Sequence, residues 1–109
     1  MIGSGRSKYR AKITTVEGIK FASKKEAAYY LMLLGRERDG EVKDIVRQPP
    51  FPLRVNGVLV CTYKADFQFY DLVEERLRTI DVKGYITPIY RLKQKLMQAL
   101  YPLVTIEEV

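Results

Sequence analysis

Apolar and polar positions alternate along this chain in a way that predicts short extended segments and two helices. Segments 10–15 and 19–21 flank Glu17-Gly18, the pattern of a short hairpin. Ser23 is a good N-cap, Glu26 stands three residues on as in a capping box, and Ala27, Tyr30, Leu31 and Leu34 recur at helical spacing. This helix is expected to end near Asp39-Gly40. Segment 42–47 is extended and stops at Pro49-Pro50; segment 51–55, the hairpin dipeptide Asn56-Gly57 and one long strand over 58–70 follow. A turn over 71–76 leads into a strand over 77–83. Gly84 breaks the chain, and Pro88 opens a second helix with Ile89, Leu92, Leu96, Ala99 and Leu100 on its apolar face. Pro102 ends that helix, and Leu103, Val104 and Ile106 predict a last strand. The order is helix, antiparallel strands, helix, strand, which is an α/β fold of the mixed α+β kind. Residues 1–9, Gly, Ser and basic residues without periodicity, read as a flexible basic arm; residues 10–109 read as a single domain.

Strand alternation assigns faces. Lys64, Asp66 and Gln68 share one side, and Ala65, Phe67 and Phe69 take the other. In the next strand Asp81 and Lys83 point one way while Ile80 and Val82 point to the core. Symmetric pairing about the turn at Val73-Glu74 sets Asp66 opposite Asp81. Two like charges facing each other across a ladder destabilise a sheet, so a compensating partner is expected. A hard divalent cation, Mg²⁺ or Mn²⁺, meets that need, because it takes carboxylate oxygens and keeps positions for water and a phosphate oxygen. Lys83, on the same face as Asp81, would then orient or help deprotonate the attacking water and offset phosphate charge.

Composition narrows the chemistry. The chain has no histidine, which removes Ser-His and Cys-His pairs, His-dependent nucleases and His zinc sites together. A single cysteine, Cys61, excludes an intramolecular disulfide and a Cys-rich zinc site, and reads as a small core residue. Nineteen Lys and Arg against thirteen Asp and Glu give a net charge of +6, pointing to an anionic partner, nucleic acid ahead of membrane. Arg6, Lys8 and Arg10 on the arm, Lys64 on the strand, and Arg91, Lys93 and Lys95 on the second helix are the candidate phosphate contacts. No apolar run approaches the roughly 20 residues of a membrane span, and no secretory h-region is present, so a cytoplasmic protein is expected.

With these residues in place the sequence resembles the PD-(D/E)xK nuclease superfamily, whose restriction-endonuclease-like core is a helix, a three-stranded antiparallel meander, a helix and a strand. Asp66 matches its first acid, although Lys64-Ala65-Asp66 stands where Pro-Asp would; Asp81-Val82-Lys83 matches the (D/E)xK triplet; Glu26 matches the acid that many members carry on the first helix. Lys93, Gln94 and Lys95 fall where members often place polar residues. The segments Ser23-Lys24-Lys25-Glu26-Ala27, Gln48-Pro49, Ala65-Asp66-Phe67 and Asp81-Val82-Lys83-Gly84 are similar to those of small phage-encoded nucleases and Holliday-junction resolvases. The resemblance implies a metal held by Asp66, Asp81, the Val82 backbone carbonyl and Glu26, with Lys83 as the catalytic lysine. It also implies cleavage of branched DNA by a homodimer, since a resolvase cuts two strands symmetrically and one such chain has one site.

Each element of that reading has a plainer alternative. An acid-x-Lys triplet arises about once by chance in a chain this long. Glu41-Val42-Lys43 is one such triplet, without an acid-bearing strand before it. Capping alone would explain Glu26. A nucleic-acid-binding protein that does not cleave, and a nicking or end-processing nuclease, both remain compatible with the sequence.

Overall fold

The computed structural model describes residues 13–84 and 86–109. Strands β1 (Thr14–Val16) and β2 (Ile19–Phe21) form the first hairpin. Its turn residues Glu17 and Gly18 have φ of 51° and 78°, and Asn56 and Gly57, between β4 (Pro50–Val55) and β5 (Val58–Lys64), have 50° and 80°. Positive φ at both central residues is the two-residue hairpin geometry whose twist matches that of the flanking strands. Helix α1 (Lys24–Arg38) begins where the Ser23 hydroxyl accepts the Glu26 amide at 3.1 Å.

The main sheet has four strands in the order β3 (Val42–Arg47), β6 (Phe67–Asp71), β7 (Arg76–Asp81) and β8 (Ile106–Glu108). The first three are antiparallel neighbours; β8 runs parallel to β7, and helix α2 (Pro88–Leu100) lies in the crossover that a parallel pair requires. This confirms the mixed α+β class and the order helix, antiparallel strands, helix, strand. The β6–β7 register is the expected one: Phe67 faces Ile80 and Asp71 faces Arg76.

Three expectations need correction. The long strand over 58–70 is two strands in different sheets, β5 with β4 and β6 in the main sheet. The change of partner falls on two residues: the Ala65 amide donates to the Pro49 carbonyl, and the Asp66 amide donates to the Ile80 carbonyl. Alternation does not reveal this, because Tyr63, Ala65, Phe67 and Phe69 are all buried although they belong to two cores. The strand ahead of Gly84 stops at Asp81 rather than at Lys83, and the last begins at Ile106, leaving Leu103 in solvent.

One core lies under α1 and gathers Phe21, Ala27, Leu33, Val42, Phe67, Phe69 and Ile80; Tyr29 and Tyr30 stack on Phe67 at centroid separations of 5.6 and 6.0 Å. The other gathers Leu53, Tyr63, Ala65, Tyr90 and Met97, with Cys61 half-buried at its edge. On α1 the expected Ala27 and Tyr30 pack into the core and Leu31 departs from the expected face, whereas α2 is rotated as a whole. On α1, Leu31 is 51% exposed while Leu33 is fully buried; on α2, Ile89 and Leu92 face solvent while Tyr90 and Met97 pack inward. The reason is that α2 seats its tyrosine and methionine against the aromatic side of the β4–β5 hairpin, a surface that no periodicity within the helix encodes.

Candidate active site

Asp66 sits in the break between β5 and β6, one residue before the ladder begins. Asp81 is the last residue of β7. Continuing the β6–β7 register by one position sets them opposite each other, as the turn symmetry predicted. The arrangement is locked by the backbone: Asp66 Oδ2 accepts the Val82 amide at 2.7 Å, and the Asp81 carbonyl and Lys83 amide bond to Val109 at the C-terminal end of β8. The parallel strand therefore fixes the chain on both sides of Val82.

Asp81 is 1% exposed, which alternation onto an open face did not predict. Its carboxylate is held from two sides: the Tyr63 hydroxyl donates to Oδ2, and the Lys83 ammonium lies 3.0 Å from Oδ1. Burial, and then the bond to Asp81, raises the Tyr63 phenol above its ordinary value, so it remains a neutral donor. Lys83 Nζ also sits 3.9 Å from the centroid of the Tyr90 ring, whose hydroxyl donates to Glu108. Asp66 is pushed well above the usual carboxylate range, first by burial and then by the neighbouring Asp81 carboxylate, with the Val82 amide acting in the opposite direction.

Glu26 meets these residues across a cavity of about 410 Å³ lined by Ser23, Lys25, Glu26, Asp66, Val82 and Lys83 among others. Its amide is capped by Ser23, but its own carboxylate is turned to the sheet and nearly buried. Burial raises its pKa, Arg47 lowers it, and Asp81 adds a further upward push. Among the described residues, no three acidic or cysteine side chains converge tightly enough to form a ready-made ligand cluster. The donor set is thus the Asp66–Asp81 pair, with Glu26 across the cavity. A hard cation of the Mg²⁺ type, which commonly takes only one or two carboxylates from the protein, fits Asp66 at the cavity; Asp81 does not line it, and would join as a ligand by giving up its contact with Tyr63 or Lys83.

The other candidates divide. Lys64 and Lys93 line a second cavity on the far side of Lys83, whereas Arg91 and Lys95 project into solvent away from it. Arg6, Lys8 and Arg10, with the arm expected over residues 1–9, lie outside the described residues. The triplet Glu41-Val42-Lys43 is structural: Glu41 pairs with Arg36 at 2.9 Å and Val42 is in the core. Gly84 lines the cavity mouth, and a Cβ there would meet nothing within 4 Å, so no turn geometry demands glycine.

Sequence reading missed three residues. Tyr63 had no role in the sequence reading; its partner is set by how β5 approaches the end of β7. Lys25, whose ammonium donates to the Lys83 carbonyl at 3.1 Å, lies in the quoted Ser-Lys-Lys-Glu segment but had no role there. Arg47 stacks over Phe21 at 4.7 Å, favours the charged form of Glu26, and leaves its Nε buried without a hydrogen-bond partner.

Among the described residues no helix is long and apolar enough to cross a membrane. No curated protein and no solved structure matches the chain. One family model does, the one described as "Protein of unknown function (DUF1064)", over residues 6–109. That match spans nearly the whole sequence, and the chain belongs to the DUF1064 family.

Proposed function

We propose that this protein is a metal-dependent DNA endonuclease with a PD-(D/E)xK-like site, acting on branched DNA as a homodimer and encoded by a phage or prophage. The observation that carries the reading is the convergence of Asp66, Asp81 and Lys83 at one end of the β6–β7 pair, where Asp66, Lys83 and, from α1, Glu26 line one cavity. The preference for junctions, the phage origin and the dimer rest on the family resemblance; the net charge of +6 supports a polyanionic substrate.

Asp66 and Asp81 would hold the cation, Mg²⁺ or Mn²⁺, with the Val82 carbonyl and Glu26 as further ligands. When bound it supplies Lewis-acid polarisation of the phosphate and a water of lowered pKa. The chain's own residues do the positioning. Lys83, fixed between Asp81 and the Tyr90 ring, presents its ammonium where it orients the attacking water and offsets charge on the phosphate. Tyr63 holds Asp81 in one orientation through its hydroxyl. Lys25, bonded to the Lys83 carbonyl, ties α1 to the strand end that carries the lysine.

The burial of Asp81 and the occupation of both its oxygens favour a second reading, a nucleic-acid-binding protein on this fold that does not cleave. One experiment separates the two. Purified protein is incubated with a four-way junction, linear duplex and single strands in Mg²⁺, Mn²⁺ or EDTA. Cleavage that needs metal and is lost in both Asp81→Asn and Lys83→Ala is expected, with the junction cut in paired symmetric positions. Binding that is indifferent to EDTA and to both substitutions, with no product on any substrate, decides for the second reading. Metal-dependent cutting of duplex or ends in preference to junctions would move the protein to nicking or end processing.

A further inference from the structure

A second cavity of about 320 Å³ opens on the other side of Lys83, between the end of β5 and the N-terminal half of α2. Its lining contains three lysines, Lys64, Lys83 and Lys93, and no acid. Among the described residues, Lys83 alone of the three has a carboxylate at ion-pair distance, 3.0 Å away. Lys93 donates to the Thr62 carbonyl at 3.2 Å, a neutral acceptor that leaves its charge unbalanced. Lys64 projects from the strand end into solvent at the rim. Thr62, Thr87, which is the N-cap of α2, Ile89, Tyr63 and Tyr90 complete the wall. An acid-free concavity with two unbalanced ammoniums is a site for an anion, and its aromatic and hydroxyl lining suits a sugar as well.

Lys83 lines both cavities, so they are neighbours separated by one side chain. A single nucleic-acid strand carries a phosphate at every nucleotide, and one lying across Lys83 would set one phosphate beside the carboxylates and the next among the lysines. We propose that this second cavity is a nucleotide subsite: it takes the phosphate and sugar of the residue adjoining the cut, with Lys64 and Lys93 as the phosphate ligands. The role rests on the nuclease reading; the binding does not.

The test uses the full chain in EDTA, so that it does not depend on a metal. Thymidine 3′,5′-bisphosphate, inorganic phosphate and unphosphorylated thymidine are titrated separately, following backbone amide shifts by NMR. The bisphosphate is expected to bind, phosphate more weakly and thymidine not at all, with shifts concentrated at Thr62, Lys64, Thr87 and Lys93. The double variant Lys64→Gln, Lys93→Gln is expected to lose at least tenfold in affinity, and Lys64→Arg, Lys93→Arg to keep most of it, with unchanged amide dispersion showing that each is folded. Shifts centred on Ser23 and Glu26 instead, binding unaffected in the glutamine pair, or phosphate binding as tightly as the bisphosphate would overturn the nucleotide subsite. Absence of cleavage with this binding intact would overturn only the nuclease reading, and cleavage with no such binding would overturn only the subsite.

Discussion

At the scale of single residues, the site is a place where stability is given up. Asp66 and Asp81 are two partly or wholly buried carboxylates at opposing positions, and burial together with the neighbouring Asp81 raises the cost of ionising Asp66. Asp66→Asn keeps an oxygen that can accept the Val82 amide and removes one of the two charges. Without metal, this variant is expected to melt higher than the parent, by roughly 4–8 °C for each kcal/mol of repulsion relieved, while metal-dependent cleavage is lost. Calorimetry in EDTA beside the junction assay checks both halves; a lower melting temperature would mean that the carboxylate is held in place for folding. Asp66, Asp81 and Lys83 were legible in the sequence because strand parity and turn symmetry are local rules. Tyr63 and Arg47 were not, since their partners are more than fifteen residues away and meet them only when a second sheet and helix α1 pack against the strand ends.

At the scale of elements, the boundaries followed from capping and turn chemistry: Ser23 starts α1, Thr87 and Pro88 start α2, and the Asn56-Gly57 turn joins β4 to β5. The faces followed only in part, on α1 at Ala27 and Tyr30. Both helices carry more apolar positions than one stripe can bury, so several rotations satisfy the sequence equally and the opposing surface chooses. This difference is measurable on α1. Leu33→Ala is expected to cost about 2–5 kcal/mol in urea unfolding, as for a fully enclosed leucine. Leu31→Ala, two positions earlier and half in solvent, should stay within about 0.5 kcal/mol. Similar losses for the two would place Leu31 in an interface, such as the proposed dimer's.

At the scale of the whole molecule, the end of the sheet opposite the site is held by charge. Asp71, fully buried, accepts the Val73 and Glu74 amides at 2.9 and 3.0 Å and the Arg78 guanidinium at 3.0 Å, with Arg36 of α1 at 3.4 Å. Arg78 in turn pairs with Glu107 of β8 at 2.7 Å, so this cluster joins α1, β6, β7 and β8. Burial alone would raise the Asp71 pKa, but these donors overcome it and bring it to about 2. Its folded value lies below its ordinary one, so the stabilisation is complete above about pH 4 and is lost as pH falls through about 2. It amounts to on the order of 2 kcal/mol. Acid unfolding of the parent should steepen in that window, and Asp71→Asn should be less stable at neutral pH but lack the added loss below pH 4. Parallel acid limbs for the two proteins would assign the acid sensitivity elsewhere.

Rules that act between neighbours along the chain account for the two helix starts, both hairpin turns, the α+β class, the β6–β7 register, and hence the meeting of Asp66 with Asp81. Contacts between groups distant in the chain come from packing alone. The break at Ala65-Asp66 exists because two different strands compete for consecutive amides, and unbroken alternation hides it. Asp81 meets the Tyr63 hydroxyl across two different sheets, and the lysine-lined cavity comes from the docking of α2 beside β5. Short-range stereochemistry is written in the order of residues; which surface covers which is settled only when the elements pack.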